Sequence, residues 1–305
     1  MKFKYFILAF CLSVATSFMS LEPALAETET ACERNADGAI IVGNQGSAFV
    51  TDTNGNTGNS CKEVPDFYKI QLFRFGLCSQ NPYLNNNSLA SCTFLLNSDA
   101  GVDHVIEGTG NSATLDTSTA DSPIAIGSYN FMVIVLKNEL QVKHTEQFSR
   151  TLTGKTSSGT TCWTTNRITS FTDQRSGIAE TNPNVRSSLG MDCGAAGDAA
   201  PEYTTEVFDS FSGGPNSPFE ANMVGNNQWV RLMKSNNLDT ADTADNGARI
   251  LFVQSNNAEV TLTSSFTLKF TLTDAVSIDM ENDNGTIYAI KNGADPFQVS
   301  LTITN

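Results

Sequence analysis

The sequence predicts an all-β protein, built of antiparallel β-sandwich type modules with disulfide staples. Apolar and aromatic residues recur with period two in short runs along the chain, which is strand spacing and not helix spacing. The runs are separated by Asn-Gly pairs, Gly-Gly-Pro and Asn/Ser-rich stretches, residue types that satisfy backbone groups locally or tolerate positive φ. Cysteines are scattered at strand ends, and no long amphipathic helix is visible.

Residues 1–26 read as a secretory signal peptide. Lys2 and Lys4 precede the apolar run Tyr5–Phe18, and Ala24-Leu25-Ala26 forms a small-residue cleavage site. No later run approaches the apolar length of about 18 residues needed to cross a bilayer as a helix. The chain is therefore expected to be exported, to the periplasm, the cell surface or the extracellular space, with no integral membrane segment. Of its seven cysteines, Cys11 lies in the leader. The remaining Cys32, Cys61, Cys78, Cys92, Cys162 and Cys193 are an even set, which implies disulfides in an exported chain. Several connectivities are open, and sequential pairing is the expectation: Cys32–Cys61, Cys78–Cys92 and Cys162–Cys193.

Residues 27–150 form a predicted N-terminal disulfide-stapled β module. It opens with the patches Ala39–Val42 and Ala48–Val50. Its centre is Val64–Asn97, a strand, an excursion and a second strand. In Phe67–Phe75, Tyr68, Ile70 and Leu72 share one face while Phe67, Phe73 and Phe75 share the other, so the strand is expected to be covered on both faces. The excursion Ser79–Ser91 is rich in Asn and Ser and holds Pro82. A Cys78–Cys92 bridge across it is worth about 3 kcal/mol in the chain-entropy model.

The run Tyr68-Lys69-Ile70, then Leu77-Cys78-Ser79-Gln80-Asn81-Pro82, then Cys92 resembles a motif of a group of secreted β-rich proteins of marine microbes. Gly127–Phe131 fits the same group's G-x-Y strand. The resemblance spans Val64 to Leu136. The group has no assigned activity, so it lends no functional residue.

Val102–Gly108 and Ala113–Leu115 read as edge strands, Tyr129–Leu136 as a second central strand, and Leu140–Phe148 as a strand with Leu140, Val142, His144 and Phe148 on one face. Residues 151–222 read as an irregular Ser/Thr/Gly-rich segment stapled by Cys162–Cys193. Residues 223–305 read as a C-terminal cysteine-free β-sandwich module of seven short strands. Its turns are placed at Asn246-Gly247, Asn284-Gly285 and Asn292-Gly293.

Eighteen Lys and Arg stand against 32 Asp and Glu. Without Lys2, Lys4 and Glu22 the balance is 16 against 31, a net charge of −15. A surface this acidic argues against nucleic acid as a partner. No nucleophile motif is present, and the two histidines, His104 and His144, are the only ones available to a hydrolase. His144 reads as a packed core histidine. Calcium is the most specific chemical candidate, through Asp279, Glu281 and Asp283, with Asp239, Asp242 and Asp245 as a second acidic loop; the competing reading is an acidic hairpin turn. Trp163 and Tyr203 are candidates for stacking on a glycan, whereas Trp229 reads as core. These features predict an exported, non-enzymatic extracellular or cell-surface structural protein. The alternatives are a secreted glycan- or calcium-binding module and, third, a secreted hydrolase. Phe297, Val299, Leu301 and Ile303 alternate with polar residues in the C-terminal strand, which makes that strand the candidate for self-association.

Overall fold

A computed structural model of the chain describes residues 19–20, 31–43, 50–51, 57–58, 60–108, 112–116, 124–170, 191–208, 211, 220–223, 227–234, 239–241, 247–283, 286–295 and 297–304. The expected cleavage site and nearly all of the leader lie outside these residues. The strands begin with β1 (Met19–Ser20), β2 (Val50–Thr51), β3 (Thr57–Gly58), β4 (Ser60–Glu63), β5 (Phe67–Cys78), β6 (Cys92–Glu107) and β7 (Ser112–Asp116). They continue with β8 (Gly127–Lys137), β9 (Leu140–Lys143), β10 (Thr145–Thr153), β11 (Ser158–Trp163), β12 (Arg167–Ser170), β13 (Asp192–Gly194) and β14 (Thr204–Val207). The last seven are β15 (Glu220–Met223), β16 (Gln228–Met233), β17 (Arg249–Val260), β18 (Ser265–Thr271), β19 (Val276–Asp283), β20 (Thr286–Ala294) and β21 (Gln298–Thr304). The fold is all-β. Strand pairing is antiparallel except between β12 and β14.

The main sheet runs β12-β14-β9-β5-β8-β17-β16-β15, with β6 also paired to β5. Both β8 and β9 pair with β5, so they act as one long strand interrupted after Lys137. At the interruption their other neighbour changes, from β17 beside β8 to β14 beside β9. Asn138 fills this fork and is 2% exposed. Its amide nitrogen donates to the carbonyls of Phe208 (2.8 Å) and Gly247 (2.6 Å), and its side-chain oxygen accepts the Phe208 N–H at 3.0 Å. A side-chain amide thus replaces the ladder bonds lost where the two neighbours part.

One face of the main sheet packs against the sheet β1-β21-β18-β7, and the resulting sandwich is not closed into a barrel. Tyr68, Ile70, Leu72, Phe75, Ile134 and Phe252 meet Leu268, Phe270, Val299 and Leu301 in this core. Phe297 packs edge-on against Tyr68 at 5.3 Å and Phe270 at 5.5 Å between ring centres. The buried Tyr68 hydroxyl is satisfied by the Asp295 carbonyl at 2.8 Å.

A second core lies among β10-β11-β13 and β20-β19-β4. Ile40, Phe148, Met191, Ile278, Met280 and Ile290 close it around two of the three disulfides, Cys32–Cys61 and Cys162–Cys193. The third, Cys78–Cys92, joins directly opposite residues of β5 and β6. All three follow the expected sequential pairing.

Outside the sandwich, the excursion 79–91 folds back over half of the main sheet's outer face. Tyr83 is buried there with Phe73, Val133, Val135, Leu251 and Val253. The Arg231 guanidinium lies 4.0 Å over the Tyr83 ring and donates to the Tyr83 carbonyl and to Asn87 Oδ1. Asn86 and Asn87 adopt positive φ, 49° and 60°, which asparagine tolerates better than most residues.

Several expectations change against this architecture. Residues 223–305 contribute to three different sheets: β16 and β17 join β8, β18 and β21 join β7, and β19 joins β4. Residues 151–222 carry β11 to β15 as well as stretches outside the described residues. The expected second strand after the excursion and the expected edge strand Val102–Gly108 merge into the single strand β6. It bends at Gly101 (φ +77°), where a Cβ would stand 2.7 Å from Gln71 Cγ. Asn292-Gly293 is not a turn but part of β20, and a Cβ on Gly293 would stand 3.3 Å from Ser277 Oγ, so glycine there serves close approach. The Asn284-Gly285 hairpin is framed by the closing pair Asp283 and Thr286, though its two central residues lie outside the described ones.

Candidate functional site

The excursion covers only part of the outer face. Toward the start of β5, alternation turns Tyr68 and Ile70 into the core and leaves Phe67, Lys69 and Gln71 on the outer face, each only partly buried. Expected cover on both faces therefore holds for Phe75–Cys78 and not for Phe67–Gln71. Cross-strand register sets Lys143 and Glu107 beside Phe67, and Gln141 and Val105 beside Lys69. Thr205 of β14 extends the second row beyond Gln141.

The Lys143 ammonium lies 4.8 Å from the Tyr203 ring centre and 5.9 Å from that of Phe67. Such cation–π contacts hold a charge on the ring quadrupoles. Burial raises the Tyr203 phenol above its ordinary pKa, and Lys69 opposes that rise. Lys69 itself pairs with Asp103 at 2.7 Å. Gln141 Nε2 donates to Thr205 Oγ1 at 3.0 Å. Farther along the same face Arg74 pairs with Asp99 at 2.5 Å and Lys137 with Glu139 at 2.7 Å. Arg249 lies 4.0 Å over the Phe73 ring. The face combines flat ring area with amide and ammonium tips.

A second polar cluster is buried where the two cores meet. Arg34 forks onto Glu146, with nitrogen–oxygen distances of 2.9 and 2.7 Å, and reaches Glu63 at 2.8 Å. His144, 3% exposed, stands with Nε2 3.5 Å from Glu146 Oε2 and Nδ1 4.0 Å from Asp66 Oδ2. Burial alone would raise the Glu146 carboxyl; hydrogen bonding to His144 and Arg34 and their charges outweigh it and hold the pKa at about 2. Burial dominates at Glu63 and pushes it up. His144 is buried, but not in the expected setting. Leu140 and Val142 belong to the sandwich core and Phe148 to the second core, because the chain passes from one sheet to the other at His144.

The chain matches no protein-family model, no curated protein and no solved structure.

The remaining candidate residues disperse. Trp163, 7% exposed, is buried beside Gly194 next to the Cys162–Cys193 bridge, so its ring faces are closed to a ligand. Trp229 packs edge-on against Phe131 at 6.0 Å, within the cluster under the excursion. Asp279, Glu281 and Asp283 occupy alternate positions of β19 instead of one compact loop, and Asp279 accepts a bond from Ser277 at 3.1 Å. Among the described residues, no group of three or more His, Cys, Asp or Glu side chains is placed to hold a metal ion. Asp242 and Asp245 lie outside the described residues, while the Asp239 carbonyl accepts the Lys234 N–H at 3.0 Å. His104 faces the sandwich core, its ring 5.5 Å from that of Phe270, and burial lowers its pKa. Tyr203 is the one glycan candidate found on an open face. Its partners Phe67 and Lys143 had a sequence signal, the outward phase of β5 and of β9, but nothing local that joins them.

Proposed function

We propose that the chain is an exported, non-enzymatic structural protein of the extracellular space or cell surface that assembles with copies of itself through its C-terminal strand. The observation that carries this reading is the position of β21. One edge pairs along its length with β18, while on the other only the two residues of β1 lie alongside, at Gln298 and Val299. From Ser300 to Thr304 that second edge has no strand partner among the described residues. Residues of β1 belong to the expected leader, so their loss opens the whole edge to an antiparallel strand of another copy. Three disulfides suit an oxidising compartment, and no described helix is long and apolar enough to cross a membrane.

Sedimentation of the processed, oxidised protein over a concentration series tests this reading. Oligomers or filaments are expected. Thr302→Lys with Thr304→Lys places charges at exposed positions of the edge strand and should give a folded monomer with an unchanged melting temperature. A wild-type protein that stays monomeric at high concentration ends the assembly reading.

A further inference from the structure

The covered and open halves of the main sheet's outer face differ in chemistry. Under the excursion the face is Val133, Val135, Leu251 and Val253, a surface made to be hidden. The open half carries a line of cations. Three of these, Lys69, Arg74 and Lys137, each hold a carboxylate. Lys143 and Arg249 hold none within ion-pair distance among the described residues, and each rests instead on aromatic rings. Both stand beside aromatic rings on one sheet face of a chain of net charge −14. The track between them follows β5, where outward residues recur about every 7 Å, so Phe67 to Phe73 spans about 20 Å.

We infer that this open half-face binds a linear acidic polysaccharide running along β5. Its carboxylates meet Lys143 and Arg249, and its pyranose rings lie against Phe67 and Tyr203. The Gln71 and Gln141 amides offer donors and acceptors to sugar hydroxyls. On the face itself Asp103, Asp99 and Glu139 are each held by a cation and Glu107 stands beside Phe67, while repulsion from acidic residues beyond a Debye length of about 8 Å is screened at physiological salt. Binding here is independent of β21, which lies in the opposing sheet.

Isothermal titration of the oxidised protein with polygalacturonate, and with dextran as a neutral polymer, tests the inference. Polygalacturonate should bind, more weakly as salt rises, and dextran should not bind comparably. Lys143→Gln and Arg249→Gln should each weaken binding about two- to fivefold, the range of an exposed charge contact. The double variant should lose more than either, and Tyr203→Ala should weaken binding without altering its salt dependence. Lys269→Gln, exposed on β18 in the opposing sheet, should bind as wild type. The inference is overturned if polygalacturonate does not bind, if dextran binds equally, if the double variant is unaffected, or if Lys269→Gln weakens binding as much. Circular dichroism and melting temperatures of the variants separate loss of binding from loss of fold.

Discussion

Arg34 is the counter-charge for two buried carboxylates at once. Replacing it with methionine keeps the apolar stem and leaves Glu63 and Glu146 facing each other without the guanidinium. A fully buried pair broken in this way costs about 3–5 kcal/mol; Arg34 keeps 35% of its side chain exposed, so about 2–3 kcal/mol is expected at neutral pH. The sign of the pH dependence follows from Glu146. Its folded pKa of about 2 lies below the ordinary carboxylate value, so its contribution is present above that ordinary value and lost as pH falls toward 2. Glu63 is shifted the other way and takes up its proton first. The stability gap between wild type and Arg34→Met should therefore narrow from neutral pH to about pH 3 in urea titrations. A gap constant over that range excludes an electrostatic role for Arg34. None of this was legible locally, because Arg34, Glu63 and Glu146 lie in three separate segments, and period-two reading assigns His144 a face but not the core behind it.

Among elements, the excursion 79–91 is legible as a loop but not as a cover. Its composition and flanking cysteines identify it, yet its apolar residues, Tyr83, Leu84 and Leu89, follow no period that would dock them. The fold buries Tyr83 and leaves Leu84 67% exposed. Its anchorage has two parts, the Cys78–Cys92 bridge at the base and the Arg231 contacts at the tip. Cys78→Ser with Cys92→Ser should lower stability by about 3 kcal/mol and create protease cleavage within 79–91. Resistance to limited proteolysis equal to wild type would show that Arg231 and the apolar contacts hold the cover unaided. The strands themselves were largely legible: β5, β8 and β21 stand close to where alternation places them. The misread Asn292-Gly293 shows the limit, since a glycine needed for close packing and one needed for a turn look alike in sequence.

The whole molecule interleaves its ends. β4 pairs with β19, β7 with β18, and β8 with β17. Pairing at such separations is not written in local periodicity, which sets the face of each strand and leaves its neighbour open. The three-part division read from composition and cysteine content therefore does not follow the sheets. A fragment of residues 223–305 keeps β16, β21 and β20 but lacks β8, β7 and β4, the second partners of β17, β18 and β19, and it should remain unfolded by circular dichroism and amide exchange. A cooperative transition in that fragment would contradict the shared sheets. Long-range pairing also predicts slow folding for the size of the chain.

The disulfide connectivity has a consequence for the order of events in oxidation. Each of the three bridges closes a short loop, with sequence separations of 29, 14 and 31 residues, and no loop overlaps another. If the chain is threaded across a membrane from its amino terminus and the leader is removed, Cys61, Cys92 and Cys193 each find one unpaired thiol already waiting, the native partner. An oxidant acting on arrival makes only native bonds, so no reshuffling step is required. All three bonds can close before β17, β19 and β21 have emerged, which leaves sheet assembly to proceed on a covalently finished chain.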